Sequence, residues 1–207
     1  MQTYESPLFT PTEAAALTQL SVKAVNNAID KKTVPAAVGR RAGQATRLLD
    51  LRALMSLMLE RRLADCFVPG LRRELFDALT DAQRNTVSLE GGLLKVDLRE
   101  PRRELATALR QLRRARRLVV VDPGILGGEP VFRGTRVPVR PIAAELANGA
   151  TAAELRQAYP RLTAEMVQLA PLYGAAYPPR GRPRTLPWHG AEPIRRQRGK
   201  LAAIDAG

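Results

Sequence analysis

Two groups of side chains in this 207-residue sequence have the types and spacing to do chemistry, and neither is a catalytic set. The first runs Ser21, Lys23, Asn26 and Asn27, then Arg40, Arg41 and Arg47. Its amides and ammonium can address base edges, and its guanidiniums suit phosphate oxygens. The second is Trp188 followed by Arg195, Arg196 and Arg198, an aromatic anchor ahead of cations that fork onto carboxylates. Catalysis has little material. One histidine, His189, and one cysteine, Cys66, leave almost nothing from which to build a triad or a soft-metal site, so no enzyme, metal or cofactor is expected. The loop Gly127-Gly128-Glu129-Pro130 lacks the Gly-Lys-Ser/Thr of a phosphate-cradling loop, so nucleotide binding is not expected either.

Charge points the same way. Lysine and arginine number 33 against 20 aspartates and glutamates, a net +13 dominated by arginine, which implies a polyanionic partner. A hydrophobic content of 45% is enough for real cores. A lone cysteine excludes an internal disulfide, and the first residues lack the basic-then-apolar plan of a signal peptide. No apolar run approaches the ~18 residues a membrane span needs. A cytoplasmic protein is expected.

The elements that must position the first group are legible. Thr10-Pro11-Thr12-Glu13 starts a helix, with Thr10 as N-cap, proline at the first helical position and Glu13 closing a capping box. Ser21 caps a second helix, with Leu20 and Val25 as its hydrophobic staple. Val22, Val25 and Ile29 share one face, and Lys23, Asn26, Asn27 and Asp30 take the other. A basic segment with Gly39 and Gly43 at its bends follows. Residues 8–60 thus resemble the helix-turn-helix of MerR-like and excisionase-like proteins. The resemblance implies Lys23, Asn26 and Asn27 in the major groove and Arg40, Arg41 and Arg47 on phosphate as a wing. Asp50 caps the next helix, with Leu51, Leu54, Met55 and Met58 as an amphipathic stripe for core or dimer contact. Pro69-Gly70 interrupts, and a helix over 71–79 completes a first domain of residues 1–85.

From Thr86 the period changes to that of a β-hairpin turning at Gly91-Gly92. Pro101 then opens a helix with Leu105, Ala108, Leu109 and Leu112 on one side. Arg103, Arg110, Arg114 and Arg117 lie within about 60° of one another on the other side, either as a solvated face or as a nucleic-acid contact. With the strand after it this reads as a ββαβ linker whose open edges invite a second copy of the chain.

The most distinctive stretch comes next. Asp122-Pro123-Gly124, Gly127-Gly128-x-Pro130, Arg133-Gly134-Thr135-Arg136-Val137-Pro138-Val139, Asn148-Gly149-Ala150-Thr151 and Tyr159-Pro160-x-Leu162-Thr163 occur in that order. Together they resemble domain of unknown function 433, a small homeodomain-like module found in antitoxins of the VapB type. The resemblance implies a three-helix module over 118–177 and a PIN-domain ribonuclease toxin as partner. Residues read singly add that Arg133-Gly134-Thr135-Arg136 makes a rigid turn and that Pro171 kinks or ends the last helix. After Tyr177 the chain turns to Pro178-Pro179-Arg180-Gly181-Arg182-Pro183-Arg184, a composition that orders only on a partner.

The expected architecture is α+β and mostly α. It comprises a helix-turn-helix DNA-binding domain with following helices (1–85), a ββα dimerisation region (86–117), an antitoxin module (118–177) and a basic toxin-binding tail (178–207). The expected function is an antitoxin that neutralises a VapC-like PIN-domain ribonuclease and represses its own operon by binding double-stranded operator DNA. It would act as a homodimer or a higher hetero-oligomer. The alternative is a stand-alone MerR/excisionase-like transcription regulator with no toxin.

Overall fold

A computed structural model describes residues 7–41, 44–63, 68–79 and 85–179 of the chain. Helix α1 (Pro11–Thr18) begins as its first residues dictate: the Thr10 hydroxyl accepts from the Glu13 N–H at 3.3 Å, and Glu13 Oε2 accepts from the Thr10 N–H at 2.8 Å. It stops at Gln19, which takes the left-handed conformation (φ 57°). Ser21 then caps α2 (Val22–Asp30), accepting from the Ala24 N–H at 3.1 Å. Strands β1 (Ala37–Arg41) and β2 (Gln44–Leu48) form an antiparallel hairpin running from Ala37 opposite Leu48 to Arg41 opposite Gln44.

Helix α3 (Leu51–Leu63) starts where Asp50 Oδ1 accepts from the Ala53 N–H at 2.7 Å. It is not the amphipathic helix that the stripe predicts. Every residue from Ala53 to Leu59 is buried, while Leu51 is exposed. Helices α1, α4 (Pro69–Ala78) and α5 (Arg99–Leu118) pack around it, so Leu57 and Leu59 have apolar partners on faces that periodicity assigned to solvent. Glu104 of α5 fastens the end of α3, accepting from Arg61 and Arg62 at 2.6 Å each. Arg52 lies 3.9 Å over the Phe76 ring and donates to the Phe76 carbonyl, tying α3 to α4.

Strands β3 (Thr86–Leu89) and β4 (Leu94–Asp97) form the expected antiparallel hairpin. The ββαβ unit does not form. Strand β5 (Val119–Val120) pairs with β6 (Val131–Phe132) instead, because the 20 residues of α5 carry the chain about 30 Å from the first hairpin. The chain therefore holds three separate two-stranded sheets among the described residues.

Helices α6 (Val139–Ala147), α7 (Ala152–Ala158) and α8 (Ala164–Ala176) complete the order. Pro171 neither ends nor breaks α8, which continues to Ala176. The proline ring is exposed, but the carbonyl it leaves without a donor belongs to fully buried Val167, so the helix continues because burial of Leu169, Ala170, Tyr173 and Ala176 around it outweighs that lost hydrogen bond. Two apolar clusters result. One surrounds α3; the other joins Phe132, Ile142, Val167 and Ala170. Helices α5 and α8 belong to both: Leu105, Leu112 and Ala176 lie in the first, Ala115 and Tyr173 in the second.

The cap of α7 is a local test of this account. Thr151 accepts from the Glu154 N–H at 3.2 Å while Glu154 Oε2 accepts from the Thr151 N–H at 2.8 Å. Thr151→Ala is expected to cost about 1 kcal/mol, read as a lower urea midpoint with an unchanged slope.

Candidate nucleic-acid interface

The turn between α1 and α2 is short because Gln19 reverses the backbone and Ser21 immediately caps the next helix. The Ser21 hydroxyl is therefore engaged as a cap. The predicted base-reading face of α2 divides in two. Lys23 and Asn27 are exposed, whereas Asn26 is half-buried and, with Val22, lines one wall of a cleft. Across that cleft stand Val121, Gly128, Arg140, Tyr173 and Tyr177, with Thr46 of β2 on the near side. Val22 thus leaves the core face that its spacing assigned to it, and Val25 is the fully buried residue of α2.

The hairpin sits against α2 through Arg47, whose Nη1 lies 2.7 Å from Asp30 Oδ1. Both side chains are about half exposed, so the pair contributes at most about 1 kcal/mol. Its consequence is geometric: it holds β2 beside the end of α2 and engages one predicted phosphate contact with a carboxylate. Arg40 is exposed on β1 and has no carboxylate partner among the described residues. Arg41 ends β1 opposite Gln44. Gly39 lets the Leu48 side chain lie close over β1: a Cβ there would lie 2.4 Å from Leu48 Cδ1, so that side chain would have to shift.

One cluster was invisible in the sequence. Glu13 is 2% exposed, and its Oε1 accepts from Arg116 Nη2 at 2.7 Å and from the Tyr177 hydroxyl at 2.8 Å. Arg116 Nε also donates to that hydroxyl. Arg140 donates to Glu129 Oε1 at 2.7 Å and to the Tyr177 carbonyl at 3.3 Å. The capping role of Glu13 was readable, but its other partners come from α5 and from the end of α8, which no local pattern announces.

Burial, and then the negative charge of Glu13, push the Tyr177 phenol well above its ordinary value. The folded chain therefore holds this proton to higher pH than the unfolded chain does. The resulting stability is complete below about pH 10 and is lost as pH rises through the folded value. Urea midpoints measured from pH 8 to pH 11 are expected to fall more steeply for the native chain than for Tyr177→Phe.

The second predicted site, Trp188 with Arg195, Arg196 and Arg198, lies outside the described residues, as do Cys66 and His189. The turn predicted at Arg133–Arg136 is structural: Gly134 has φ 76°, and Thr135 donates to the Phe132 carbonyl at 2.8 Å and accepts from the Val137 N–H at 3.0 Å. Arg133 Nε donates to the Arg117 carbonyl at 2.8 Å, capping the end of α5. Among the described residues no group of three or more His, Cys, Asp or Glu could hold a metal ion, and no helix is long and apolar enough to cross a membrane.

Residues 119–173 match the family described as protein of unknown function (DUF433), so the resemblance carried by the glycine and proline motifs holds over that segment. The crystal structure of Rv2018 from Mycobacterium tuberculosis is 17% identical and is covered over 98% of its chain by 81% of this one. Its TM-score of 0.33 is too low to carry the fold of one to the other. The uncharacterized protein y4eO of Sinorhizobium fredii is 34% identical over 189 residues, which span 83% of this chain and 82% of that protein. With that identity sustained across four-fifths of both chains, this protein belongs to the family of y4eO, with a DUF433 segment at residues 119–173.

Proposed function

We propose that this protein is the antitoxin of a toxin–antitoxin pair, binding operator DNA through α2 and the β1–β2 hairpin and neutralising a PIN-domain ribonuclease through residues 178–207. The observation that carries the DNA reading is the placement of exposed Lys23 and Asn27 on α2 beside exposed Arg40, on a hairpin held to that helix by Arg47 and Asp30. A helix with a polar outer face next to a basic hairpin has the parts a major-groove reader needs, base-edge donors and acceptors flanked by phosphate contacts. The antitoxin reading is supported by the DUF433 match and by the likeness of its motifs to the module of VapB-type antitoxins. The protein would act in the cytoplasm as a homodimer through the β3–β4–α5 region, since a two-fold protein matches a palindromic operator.

The test is titration of full-length protein against the DNA upstream of its own gene. Lys23→Ala/Asn27→Ala is expected to weaken operator binding by about 10-fold or more, because each good base contact is worth about 1–3 kcal/mol. Arg40→Ala is expected to flatten the log-log salt dependence by about 0.9. Unchanged affinity and slope in both variants would remove the assignment.

A further inference from the structure

Helix α5 carries an arginine face that the DNA reading of α2 does not use; in the dimer proposed above, the exposed apolar residues of the β3–β4–α5 region are Leu93 and Leu94 at the hairpin, not residues of this face. Arg103, Arg110, Arg113, Arg114 and Arg117 are all exposed on the side away from Leu105, Leu112 and Ala115, which are buried toward the cores. From Arg103 to Arg117 the row is about 21 Å long. Exposed Arg133, held to the Arg117 carbonyl, and Arg136 extend the positive surface past the helix end. Among the described residues, Glu165 pairs with Arg114, while Arg103, Arg110, Arg113 and Arg117 have no carboxylate within ion-pair reach. Glu104 is turned inward to Arg61 and Arg62, which leaves Glu100 as the exposed acid of this helix.

The requirements of the helix itself do not explain the row. Cations in the last turn favour the helix dipole, which accounts for Arg117 but not for Arg103 or Arg110, two or more turns earlier. Arg110 with Arg114, and Arg113 with Arg117, stand at i,i+4, where like charges repel and a glutamate would stabilise.

We propose that the arginine row of α5 is a second nucleic-acid contact that binds the phosphate backbone of duplex DNA without reading its sequence. It takes duplex DNA as partner from the reading above, but its site is separate from α2. The composition of the row favours DNA over an acidic protein. A protein interface needs an apolar or aromatic centre to desolvate, and no large exposed hydrophobic residue lies on α5. Backbone contacts need only cations, and Arg110, donating to Thr107 Oγ1 at 2.9 Å, keeps further N–H groups for phosphate. Duplex DNA presents one negative charge per about 1.7 Å of its axis, so a row of this length meets several phosphates.

The experiment uses full-length protein and a fluorescent duplex of random sequence, titrated over a series of salt concentrations. Replacing Arg103, Arg110, Arg113 and Arg117 by Gln is expected to weaken binding at least about tenfold at low salt. The log-log slope should fall by about 0.9 for each arginine that meets a phosphate. The matching variant with Lys at the four positions keeps the charge and is expected to retain most of the slope. An unchanged slope in the Gln variant overturns the proposal; so does a Lys variant that loses as much as the Gln variant, since the row would then act through something other than phosphate charge. Lys23→Ala/Asn27→Ala tested beside them separates the two sites: it is expected to abolish preference for the operator over random duplex and to leave random-duplex binding intact. If that preference survives, the reading of α2 fails while the result for α5 stands.

Discussion

Glu13→Ala is expected to lower the unfolding free energy by about 3 kcal/mol, far more than removal of an exposed carboxylate such as Glu154. The side chain of Glu13 is almost fully buried and closes three contacts at once: the N-cap of α1, Arg116 of α5 and the Tyr177 hydroxyl just beyond α8. Alanine leaves a partly buried N–H, a phenol and a guanidinium without their acceptor. The loss stays at the low end of the range for a wholly buried pair because the Arg116 side chain is 40% exposed and can recover water. Glu13→Gln should lie between, since an amide oxygen can still accept from Arg116 or Tyr177 while the NH₂ group faces the Thr10 N–H. Urea unfolding at neutral pH measures both. A cycle pairing Glu13→Ala with Tyr177→Phe is expected to show a coupling of about 1 kcal/mol or more. Independent effects would mean that the Glu13–Tyr177 hydrogen bond contributes nothing to holding the end of α8 on α1.

Deleting residues 178–207 is expected to abolish neutralisation of the proposed ribonuclease while leaving operator binding mostly intact. PIN-domain ribonucleases, implied as partner by the family resemblance, use clustered carboxylates to hold divalent ions. A guanidinium from Arg195, Arg196 or Arg198 could occupy those carboxylates bidentately, and it stays charged at every relevant pH. Trp188 supplies the large apolar surface typical of an interface hot spot, and Trp188→Ala alone is expected to cost about 2 kcal/mol, roughly 30-fold in affinity. The measurement is ribonuclease activity against increasing antitoxin. A truncated protein that still silences the enzyme at equal molar ratio would put the inhibitory surface in the folded part of the chain.

The sequence by itself determined what depends on neighbours three or four residues away. The caps at Thr10, Ser21, Asp50, Thr151 and Thr163 are where their residue types put them, because each bond is made within one helical turn. The β3–β4 hairpin, the rigid turn at Gly134 and the DUF433 segment were readable for the same reason. Tertiary structure decided everything that depends on which surfaces meet. Helix α3 is buried all round because three helices enclose it, and an apolar period cannot say how many neighbours a helix has. Strand β5 stayed out of the β3–β4 sheet because the length of α5 removed it from β4, and α8 passed through Pro171 because its packing outweighs one missing hydrogen bond. Asn26 turned toward a cleft, and Arg47 toward Asp30, because the module of α6, α7 and α8 and the β1–β2 hairpin came to lie beside α2. Glu13 found Arg116 and Tyr177 at sequence separations of 103 and 164, where a charge pattern carries no information and only the joint packing of α1, α5 and α8 brings the groups within 3 Å.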